Sequence, residues 1–494
     1  MNKMKSIFTI LAFVPTFCFG QWVQVGNSIN GQAAGDRFGY STAISGDGTI
    51  VAMGAPFNAN AGSGAGQVRV FGWINESWAQ LGADINAETG GDQTGQAVSL
   101  SEDGSIVAIG EPFNNDLGFT SGQVRVFENI NNSWSQVGQD LYGDNATAGA
   151  GTSVDLSADG SVVAFGAPNT TVNGVAAFIG NVRVFENVNN VWVQKGGDIN
   201  GDGEIIKFGQ SVSLSADGNI IAIGQTGNPA VNPATDIGRV KVYQFVENDW
   251  VQLGSTIFGT DESDEFGWKL SLSASGDVLA IGSYIKGEVK VFEWINEAWT
   301  QIGNTLVGNS SGDSFGFSVS LSSDASHLAV GARFINLNND QPGSAYIFER
   351  EGNDWVLVGD PIEGVALADQ AGFSVAITQN GSRVVVASTA NDDAGSNAGH
   401  VRVFDNILIS ATDDYQEPSL VKIFPNPATE AVQIQSEVEV ISYKIFSVEG
   451  RMVDQKKKLN HRVFFIDMND LVSGTYILSL QTKNGNQNYK VNKR

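Results

Sequence analysis

The sequence predicts an all-β protein, in which a seven-bladed β-propeller of four-stranded blades precedes a small C-terminal β-sandwich. The first observation is a repeat of seven tryptophans, spaced 49 to 58 residues apart and each followed by glycine four residues later. The second is composition: 59 of 494 residues are glycine and 16% are charged, which favours short strands and tight turns over helices. The third is a change to basic composition near the C-terminus. The repeated tryptophans are Trp22, Trp78, Trp134, Trp192, Trp250, Trp299 and Trp355.

The N-terminus has the pattern of a secretory signal peptide. Lys3 and Lys5 precede an apolar stretch over 7–17, which is too short to span a membrane as a mature helix. We expect residues 1–20 to be removed by cleavage after Gly20, leaving Gln21 first. The alternative is a lipoprotein signal ending at Cys18, the one cysteine of the chain. No later segment is apolar enough to predict a transmembrane helix in the mature chain.

Each repeat contains four strand-like pieces. They are exemplified by 134–138 with the tryptophan, 315–321 after a Phe-Gly pair, the apolar 106–110 and the alternating 124–127. An Asp-Gly turn such as Asp159-Gly160 joins the second and third pieces, which is a hairpin signal. Each repeat therefore predicts a four-stranded antiparallel meander, and seven of them predict a propeller over residues 21–406.

A basic residue recurs in the alternating strand, and its register with the next tryptophan strand can be predicted. Pairing Phe127 with Trp134 sets Arg125 opposite Gln136, and the same polarity match recurs in other repeats. Two interpretations exist: structural pairs beside aromatic rings, or a basic binding site. The first is favoured.

The two ends of the repeat region predict how the ring closes. The last repeat ends at 401–404 without a tryptophan strand, whereas the first begins with an unpaired one at Trp22. We expect Phe404 to face Trp22 and Arg402 to face Gln24, so that the N-terminal strand completes the last blade.

The repeats resemble the FG-GAP repeat of the integrin α-chain propeller. Phe38-Gly39 with 54–56, Gly-Ala-Pro, is the closest match, and several later repeats match in part. The resemblance implies the propeller fold. In that family calcium often binds between the first two strands of a blade, but turns such as 46–48, Gly-Asp-Gly, are too short to supply the oxygens. No cofactor or metal is predicted. Binding of Ca²⁺ is still possible, because residues 198–203 form either a turn or the start of a calcium-binding loop.

Recurring carboxylates are the first candidates for ligand contact. An aspartate occurs two residues before the Phe-Gly position in five repeats, and it either joins a ring of carboxylates on one face or accepts hydrogen bonds from turn amides. The five are Asp36, Asp92, Asp264, Asp313 and Asp369. In the fifth repeat a short connection at Tyr284 lies next to the loop with Asp264, which predicts a notch that could bind a ligand.

Charge and motifs limit the possible activities. The formal net charge is -25, so a nucleic-acid partner is not expected. Three histidines do not form a metal-binding pattern, and no nucleophile elbow or phosphate loop is present, so no catalytic residue is predicted. A glycosidase using a pair of carboxylates stays open.

The C-terminal part differs in charge from the rest. Residues 407–420 predict a linker, and 421–494 contain 11 Lys and Arg against 7 Asp and Glu. This segment begins Phe424-Pro425-Asn426-Pro427 and later contains Gly474, Tyr476 and Lys490. The order of these motifs resembles the C-terminal sorting domain of cargo of the type IX secretion system of Bacteroidetes. The resemblance implies passage through the periplasm, translocation across the outer membrane by that machinery, and removal of the domain at the cell surface.

Together these features predict a secreted or cell-surface propeller that acts as a binding or adhesion module. Its extracellular ligand would be a glycan, a protein or a surface polymer. The alternatives are a polysaccharide-degrading enzyme that uses rim carboxylates, and a structural surface protein with no small ligand.

Overall fold

The computed structural model describes residues 22–494 except 172–177, 203–206, 227–236, 262–263, 309–311, 335–341, 407–420, 426, 448–451 and 483–484. The described residues up to Asn406 form one compact unit, and those from Val421 form a second. The predicted cleavage site at Gly20 and Gln21, the linker 407–420 and Asn426 lie outside the described residues.

The first unit consists of seven antiparallel sheets, as predicted. The chain begins with β1 (Trp22–Gln24) and β2 (Ile29–Asn30). The first sheet is β3 (Thr42–Ile44), β4 (Ile50–Ala55), β5 (Gln67–Ile74), β6 (Ser77–Gln80) and β7 (Ile85–Asn86). The second is β8 (Ala97–Leu100), β9 (Ile106–Glu111), β10 (Gln123–Ile130), β11 (Ser133–Gln136) and β12 (Leu141–Tyr142). The third is β13 (Ser153–Leu156), β14 (Val162–Ala167), β15 (Asn181–Val188), β16 (Val191–Gln194) and β17 (Ile199–Asn200).

The remaining sheets repeat this order. The fourth is β18 (Phe208–Leu214), β19 (Ile220–Gln225), β20 (Arg239–Val246), β21 (Asp249–Gln252) and β22 (Ile257–Phe258). The fifth is β23 (Lys269–Leu272), β24 (Val278–Ser283), β25 (Glu288–Ile295) and β26 (Ala298–Val307). The sixth is β27 (Phe315–Leu321), β28 (His327–Ala332), β29 (Ser344–Glu351), β30 (Asp354–Leu357) and β31 (Ile362–Glu363). The seventh is β32 (Ala371–Ile377), β33 (Arg383–Ser388) and β34 (His400–Asn406), joined by β1 and β2.

These sheets are the blades of a seven-bladed propeller. The innermost strand of each blade contacts the innermost strands of both neighbours, and β32 of the seventh blade contacts β3 of the first. The seven inner strands therefore surround a central channel. The apolar core lies between blades: Ala108 and Val124 of the second blade share a cluster with Val163 and Phe165 of the third.

Closure of the ring by the N-terminal strand is confirmed, but its register was predicted wrongly. β1 pairs with β34, with Trp22 opposite Asn406 and Gln24 opposite Phe404, two residues away from the predicted pairs. The outer hairpins have the same offset, since Phe127 lies opposite Gln136. In the hairpins the reason is the turn: Asn131 and Asn132 both have positive φ, 53° and 63°, and such two-residue turns fix the pairing of the flanking strands. No turn joins β1 to β34, and the closing pair has the register of the hairpins.

The recurring basic residues nevertheless have the structural role that was favoured. Arg69 donates to Gln80 Oε1 at 3.2 Å, a diagonal contact across the strands instead of a direct one. It also donates to the Asn30 carbonyl at 3.0 Å, which belongs to a different blade. Arg183 repeats both contacts, with Gln194 at 3.1 Å and the Tyr142 carbonyl at 3.0 Å. These side chains therefore tie the first blade to the seventh and the third blade to the second.

Two glycines are required by close packing of blades in six of the seven repeats, whereas the seventh has Ala387 at the second-strand position. The second-strand Gly166 faces Gly209 of the next blade, where a Cβ on Gly166 would lie 1.9 Å from the Gly209 carbonyl oxygen. Gly209 itself has φ +89°, a conformation that other residues rarely adopt. Ser153 Oγ donates to the same carbonyl at 2.9 Å. The Phe-Gly and Gly-Ala-Pro positions are therefore two sides of one contact between blades.

Hairpin turns at one end of the channel are joined in a closed ring of backbone hydrogen bonds, which we call the turn ring. Gly46 N donates to Glu102 O at 2.7 Å, and each turn donates to the next until Gln379 N donates to Gly46 O at 3.2 Å. The intermediate donors are Glu102, Ala158, Ala216, Ala274 and Asp324.

The second unit is β-rich, and its central element is one long strand. Its strands are β35 (Val421–Phe424), β36 (Ala431–Ser447), β37 (Met452–Lys456), β38 (His461–Asp467), β39 (Gly474–Thr482) and β40 (Gly485–Lys493). β36 pairs with β35, β37, β38 and β39, and β39 pairs with β40. Its core contains Val432, Ile434, Phe464 and Leu480.

Candidate functional site

A cavity of about 210 Å³ opens at the end of the channel where the chain enters the inner strands. We call this end the aromatic mouth. It is lined by the residue that follows the Phe-Gly glycine in each blade: Tyr40, Gln96, Thr152, Gln210, Trp268, Phe317 and Phe373. The glycine allows the backbone to turn into the inner strand, so the next side chain is directed at the channel. A deeper layer of Thr42, Val98, Val154, Val212, Leu270, Val319 and Val375 lines the same cavity.

The mouth is divided into an aromatic half and a polar half. Tyr40, Trp268, Phe317 and Phe373 belong to blades one, five, six and seven, which are consecutive once the ring is closed. The other three blades contribute Gln96, Thr152 and Gln210. A ligand at this mouth would therefore meet ring faces on one side and hydrogen-bonding groups on the other.

The aromatic rings form a continuous arc. The ring centroids of Tyr40 and Phe373 are 4.9 Å apart, and those of Phe373 and Phe317 are 5.0 Å apart. Trp268 continues the arc at 5.8 Å from Phe317. Tyr284, which follows β24, contacts Trp268 at 5.0 Å and Phe317 at 5.4 Å. Phe317 and Phe373 are buried, whereas Tyr40, Trp268 and Tyr284 are half-buried and present the accessible surface.

Two cations lie within this mouth. The Arg333 guanidinium is 3.9 Å from the centroid of Phe317, within the range of a cation–π contact. Lys269 lines the cavity beside Trp268. Burial lowers the pKa of Lys269 and contributes most to the lowered pKa of Arg333, because a desolvated charge is less stable.

Several polar atoms of the mouth are buried without a hydrogen-bond partner among the described residues. They are Gln96 Oε1, the Trp268 indole nitrogen Nε1 and Arg333 Nε. Buried polar groups are normally hydrogen-bonded.

The structure places the five predicted aspartates at the turns that lead into the inner strands, and all five are buried. Asp36 Oδ2 accepts from Ala33 N at 2.9 Å, and Asp369 Oδ2 accepts from Ala366 N at 2.9 Å. Asp92, Asp264 and Asp313 accept from nearby amides in the same way. Their geometry is that of the turn-amide interpretation, and none of the five lines the cavity of the aromatic mouth.

Tyr284 is the predicted ligand residue that contacts the aromatic mouth, through the rings of Trp268 and Phe317. Its connection is short, as expected, because β24 ends at Ser283 and β25 begins at Glu288. Burial raises the pKa of Tyr284 to about 12, with a further contribution from a hydrogen bond with Glu265. Its predicted partner Asp264 is buried, and Ser283 Oγ donates to the Asp264 carbonyl at 2.6 Å.

The acidic side chains of residues 198–203 form ion pairs with basic residues of the propeller strands. Asp198 lies 3.3 Å from Arg183 Nε, and Asp202 lies 2.6 Å from Lys241 Nζ. In the part of the chain that the structure describes, no three His, Cys, Asp or Glu side chains cluster so as to hold a metal ion.

In the C-terminal unit the predicted motif residues occupy different environments. Tyr476 is buried, and its hydroxyl donates to the Val472 carbonyl at 2.8 Å. Phe424 is 43% exposed at the end of β35, whereas Lys490 lies exposed in β40. Gly474 begins β39, and Pro425 and Pro427 lie in the connection that leads to β36.

Family comparisons match both units. The FG-GAP repeat family matches residues 30–71 and 307–348, and the secretion system C-terminal sorting domain matches residues 422–494. The chain therefore contains FG-GAP repeats and a C-terminal sorting domain of the type IX secretion system. This sorting domain indicates export of the protein to the outer cell surface or the extracellular space, through the type IX machinery. No helix among the described residues has the length and apolar character needed to cross a membrane.

Solved structures with similar coordinates have distant sequences. Hydrazine synthase of Kuenenia stuttgartiensis has a TM-score of 0.49 at 12% identity, covering 76% of this chain and 97% of its own. A putative 6-phosphogluconolactonase from Bacteroides uniformis has a TM-score of 0.48 at 13% identity, covering 85% and 100%. The periplasmic gluconolactonase PpgL of Pseudomonas aeruginosa has a TM-score of 0.44 at 13% identity, covering 81% and 94%. No curated protein matches the FG-GAP chain. Similarity at this level carries no argument about its ligand or activity.

Sequence reasoning did not identify most of the aromatic mouth. The missed residues are Tyr40, Trp268, Lys269, Phe317, Arg333 and Phe373. A signal was present: aligning the repeats on the Phe-Gly glycine shows aromatic residues after it in four repeats and Gln or Thr in three. Tyr284 and Arg333 also stand where other repeats have the proline of Gly-Ala-Pro.

Proposed function

We propose that this exported propeller is a binding or adhesion module that holds a saccharide at the aromatic mouth. The observation that carries the proposal is the arc of aromatic rings from four consecutive blades around an open cavity. Sugar rings present a face of C–H groups that packs well on an aromatic ring, whose face is electron-rich. The Gln and Thr residues of the opposite half supply the donors and acceptors that sugar hydroxyls need.

The size of the cavity limits how the saccharide binds. At about 210 Å³ it is smaller than the 300–1,000 Å³ typical of pockets for drug-sized ligands. We expect one sugar unit to enter the mouth while the rest of the chain lies across the face. A protein or another surface polymer would have to present a similarly small group. The alternative enzyme lacks a supporting observation, because the five recurring carboxylates accept amide hydrogen bonds.

A binding assay on the purified chain tests the proposal. Oligosaccharides from an array would be measured by calorimetry against the wild type and Trp268→Ala. Loss of the indole should weaken binding about tenfold, which corresponds to ~1.4 kcal/mol. The matched control is Phe258→Ala, which removes a 57% exposed ring on the outer strand β22. Equal affinity of Trp268→Ala and wild type would refute the site.

A further inference from the structure

The distribution of unpaired cations in the propeller is the starting observation. Nine of its lysine and arginine side chains lie within 4 Å of an Asp or Glu, as expected for a strongly acidic unit. They are Arg69, Arg125, Arg183, Arg239, Lys241, Lys286, Lys290, Arg350 and Arg383. Lys195 and Arg402 donate to backbone carbonyls, of Gly218 and Glu363.

The remaining four cations have no acidic side chain within ion-pair distance among the described residues, and all lie on the face of the aromatic mouth. Arg37 and Lys207 occupy the position two residues before the Phe-Gly glycine, and Lys269 follows that glycine by two. Arg333 follows β28, which runs toward the same face. Among the described residues of this acidic unit, the cations with neither an ion pair nor a carbonyl partner are thus concentrated at one opening of the channel.

Burial disfavours the charged forms of two of these cations, Arg333 and Lys269. Arg333 is partly desolvated, and Arg37 adds a repulsion that further lowers its pKa. For Lys269 burial is the cause of the lowered pKa, with no contribution from a neighbouring charge. The acid of the mouth is Glu265, which is engaged by the Tyr284 hydroxyl. An anionic group of a ligand would supply the missing partner, and hydrogen bonds to charged groups are the strong ones.

We infer that the saccharide of the proposed function is acidic, with a carboxylate or sulfate group held by Lys269 and Arg333 while its ring packs on Trp268. This inference rests on the proposed function and adds the class of ligand. Lys269 lines the cavity next to Trp268, and Arg333 is stacked on Phe317, so both charges lie beside the rings that would hold the sugar. A sugar unit with one charged substituent could thus place its ring on Trp268 and its charged group beside Lys269 and Arg333.

The test compares acidic oligosaccharides with neutral ones of the same backbone. Calorimetry with the full chain would use an oligouronate, its carboxyl-reduced form, a sulfated oligosaccharide and its desulfated form. We expect at least one acidic member to bind about tenfold or more tightly than its neutral counterpart, and raised salt to reduce that difference. The acidic member that binds identifies the group as carboxylate or sulfate.

Substitutions locate the charge recognition. Lys269→Gln and Arg333→Gln should weaken binding of the acidic ligand much more than binding of the neutral one, so that most of the preference for the acidic ligand is lost. Lys286→Gln is the matched control, since Lys286 follows β24 on the same face but is already paired with Asp261 and Glu288. Melting temperatures verify that each variant is folded.

The outcomes separate this inference from the proposal on which it rests. If neutral and acidic ligands bind equally and Trp268→Ala still weakens both, the saccharide site stands and the acidic class is wrong. If Lys286→Gln reduces the preference as much as Lys269→Gln, the effect is general charge and the inference is overturned. If no oligosaccharide binds, the proposed function itself fails, and this inference fails with it.

Discussion

Substituting the tryptophan of the closing strand should destabilise the whole propeller. Trp22 is 8% exposed, packs in the cluster between blades six and seven, and donates from Nε1 to the Val358 carbonyl at 3.0 Å. A buried tryptophan removes about 150–250 Å² from water, worth ~4–6 kcal/mol as an upper limit, and measured Trp→Ala changes cost ~3–5 kcal/mol. We therefore expect Trp22→Ala to lower the free energy of unfolding by ~4 kcal/mol.

The corresponding shift in melting temperature can be worked from the size of the unit. The propeller spans roughly 385 residues, so at about 2.1 cal/mol/K per residue its unfolding entropy is ~0.8 kcal/mol/K. Trp22→Ala should then lower the melting temperature by ~5 °C in calorimetry. Gln24→Ala, an exposed position in the same strand, is the control and should shift it by less than ~1 °C.

Hydrogen exchange distinguishes closure of the ring from ordinary packing. If β1 completes the last blade, Trp22→Ala should speed amide exchange in β32, β33 and β34 more than in β13 to β16 of the third blade. A melting temperature within 1 °C of the wild type, or a uniform change in exchange across blades, would contradict the reasoning.

Three further substitutions have defined outcomes. Gly166→Ala should prevent stable folding, because its Cβ would lie 1.9 Å from a carbonyl oxygen of the next blade, whereas Gly90→Ala, with its nearest contact at 3.5 Å, should melt like the wild type. Asp155→Ala should cost ~1–3 kcal/mol in denaturant unfolding, since its carboxylate accepts from Leu214 N at 2.8 Å, but Asp155→Ser should cost little because serine fills the equivalent position in other blades. Lys269→Met should be at least as stable as the wild type at pH 7. Burial lowers the pKa of Lys269, so the unfolded chain binds more protons than the folded one and wild-type stability rises with pH. The stability difference between Lys269→Met and the wild type should therefore shrink toward ~pH 10.4, the pKa of an unperturbed lysine. A difference that grew with pH would contradict this reasoning.

Blade number and ring closure could be predicted because they depend on repetition. Trp22 and the strand ending at Phe404 each lacked a partner, and only their pairing completed seven equal units. The register could not be predicted from the Arg–Gln match, since a long side chain such as Arg69 reaches a diagonal neighbour as readily as a direct one. The information that decides the register lies in turns such as Asn131-Asn132, because their backbone geometry sets which residues of the two strands face each other.

The aromatic mouth was harder to predict because it depends on the order of blades in space. Tyr40 and Phe373 are 333 residues apart in the chain yet adjacent in the ring, with centroids 4.9 Å apart. Arg333 occupies the place of a proline in the motif, so it read as a departure from the repeat and not as part of a site. The recurring aspartates serve the turn that every repeat shares. Side chains that differ among blades are the ones available to form a specific surface.

The turn ring bears on the electric field along the channel. Its peptide groups follow one another head to tail around a circle, so their dipoles run tangentially and cancel along the propeller axis. Unlike a bundle of aligned helices, this backbone presents neither a positive nor a negative pole to an ion approaching the channel. The axial potential is then set by side chains, with the ammonium of Lys269 toward one end and the carboxyl of Asp155 toward the other. Discrimination between charged solutes consequently depends on a few substitutable positions, and a propeller of unchanged backbone can acquire the opposite preference.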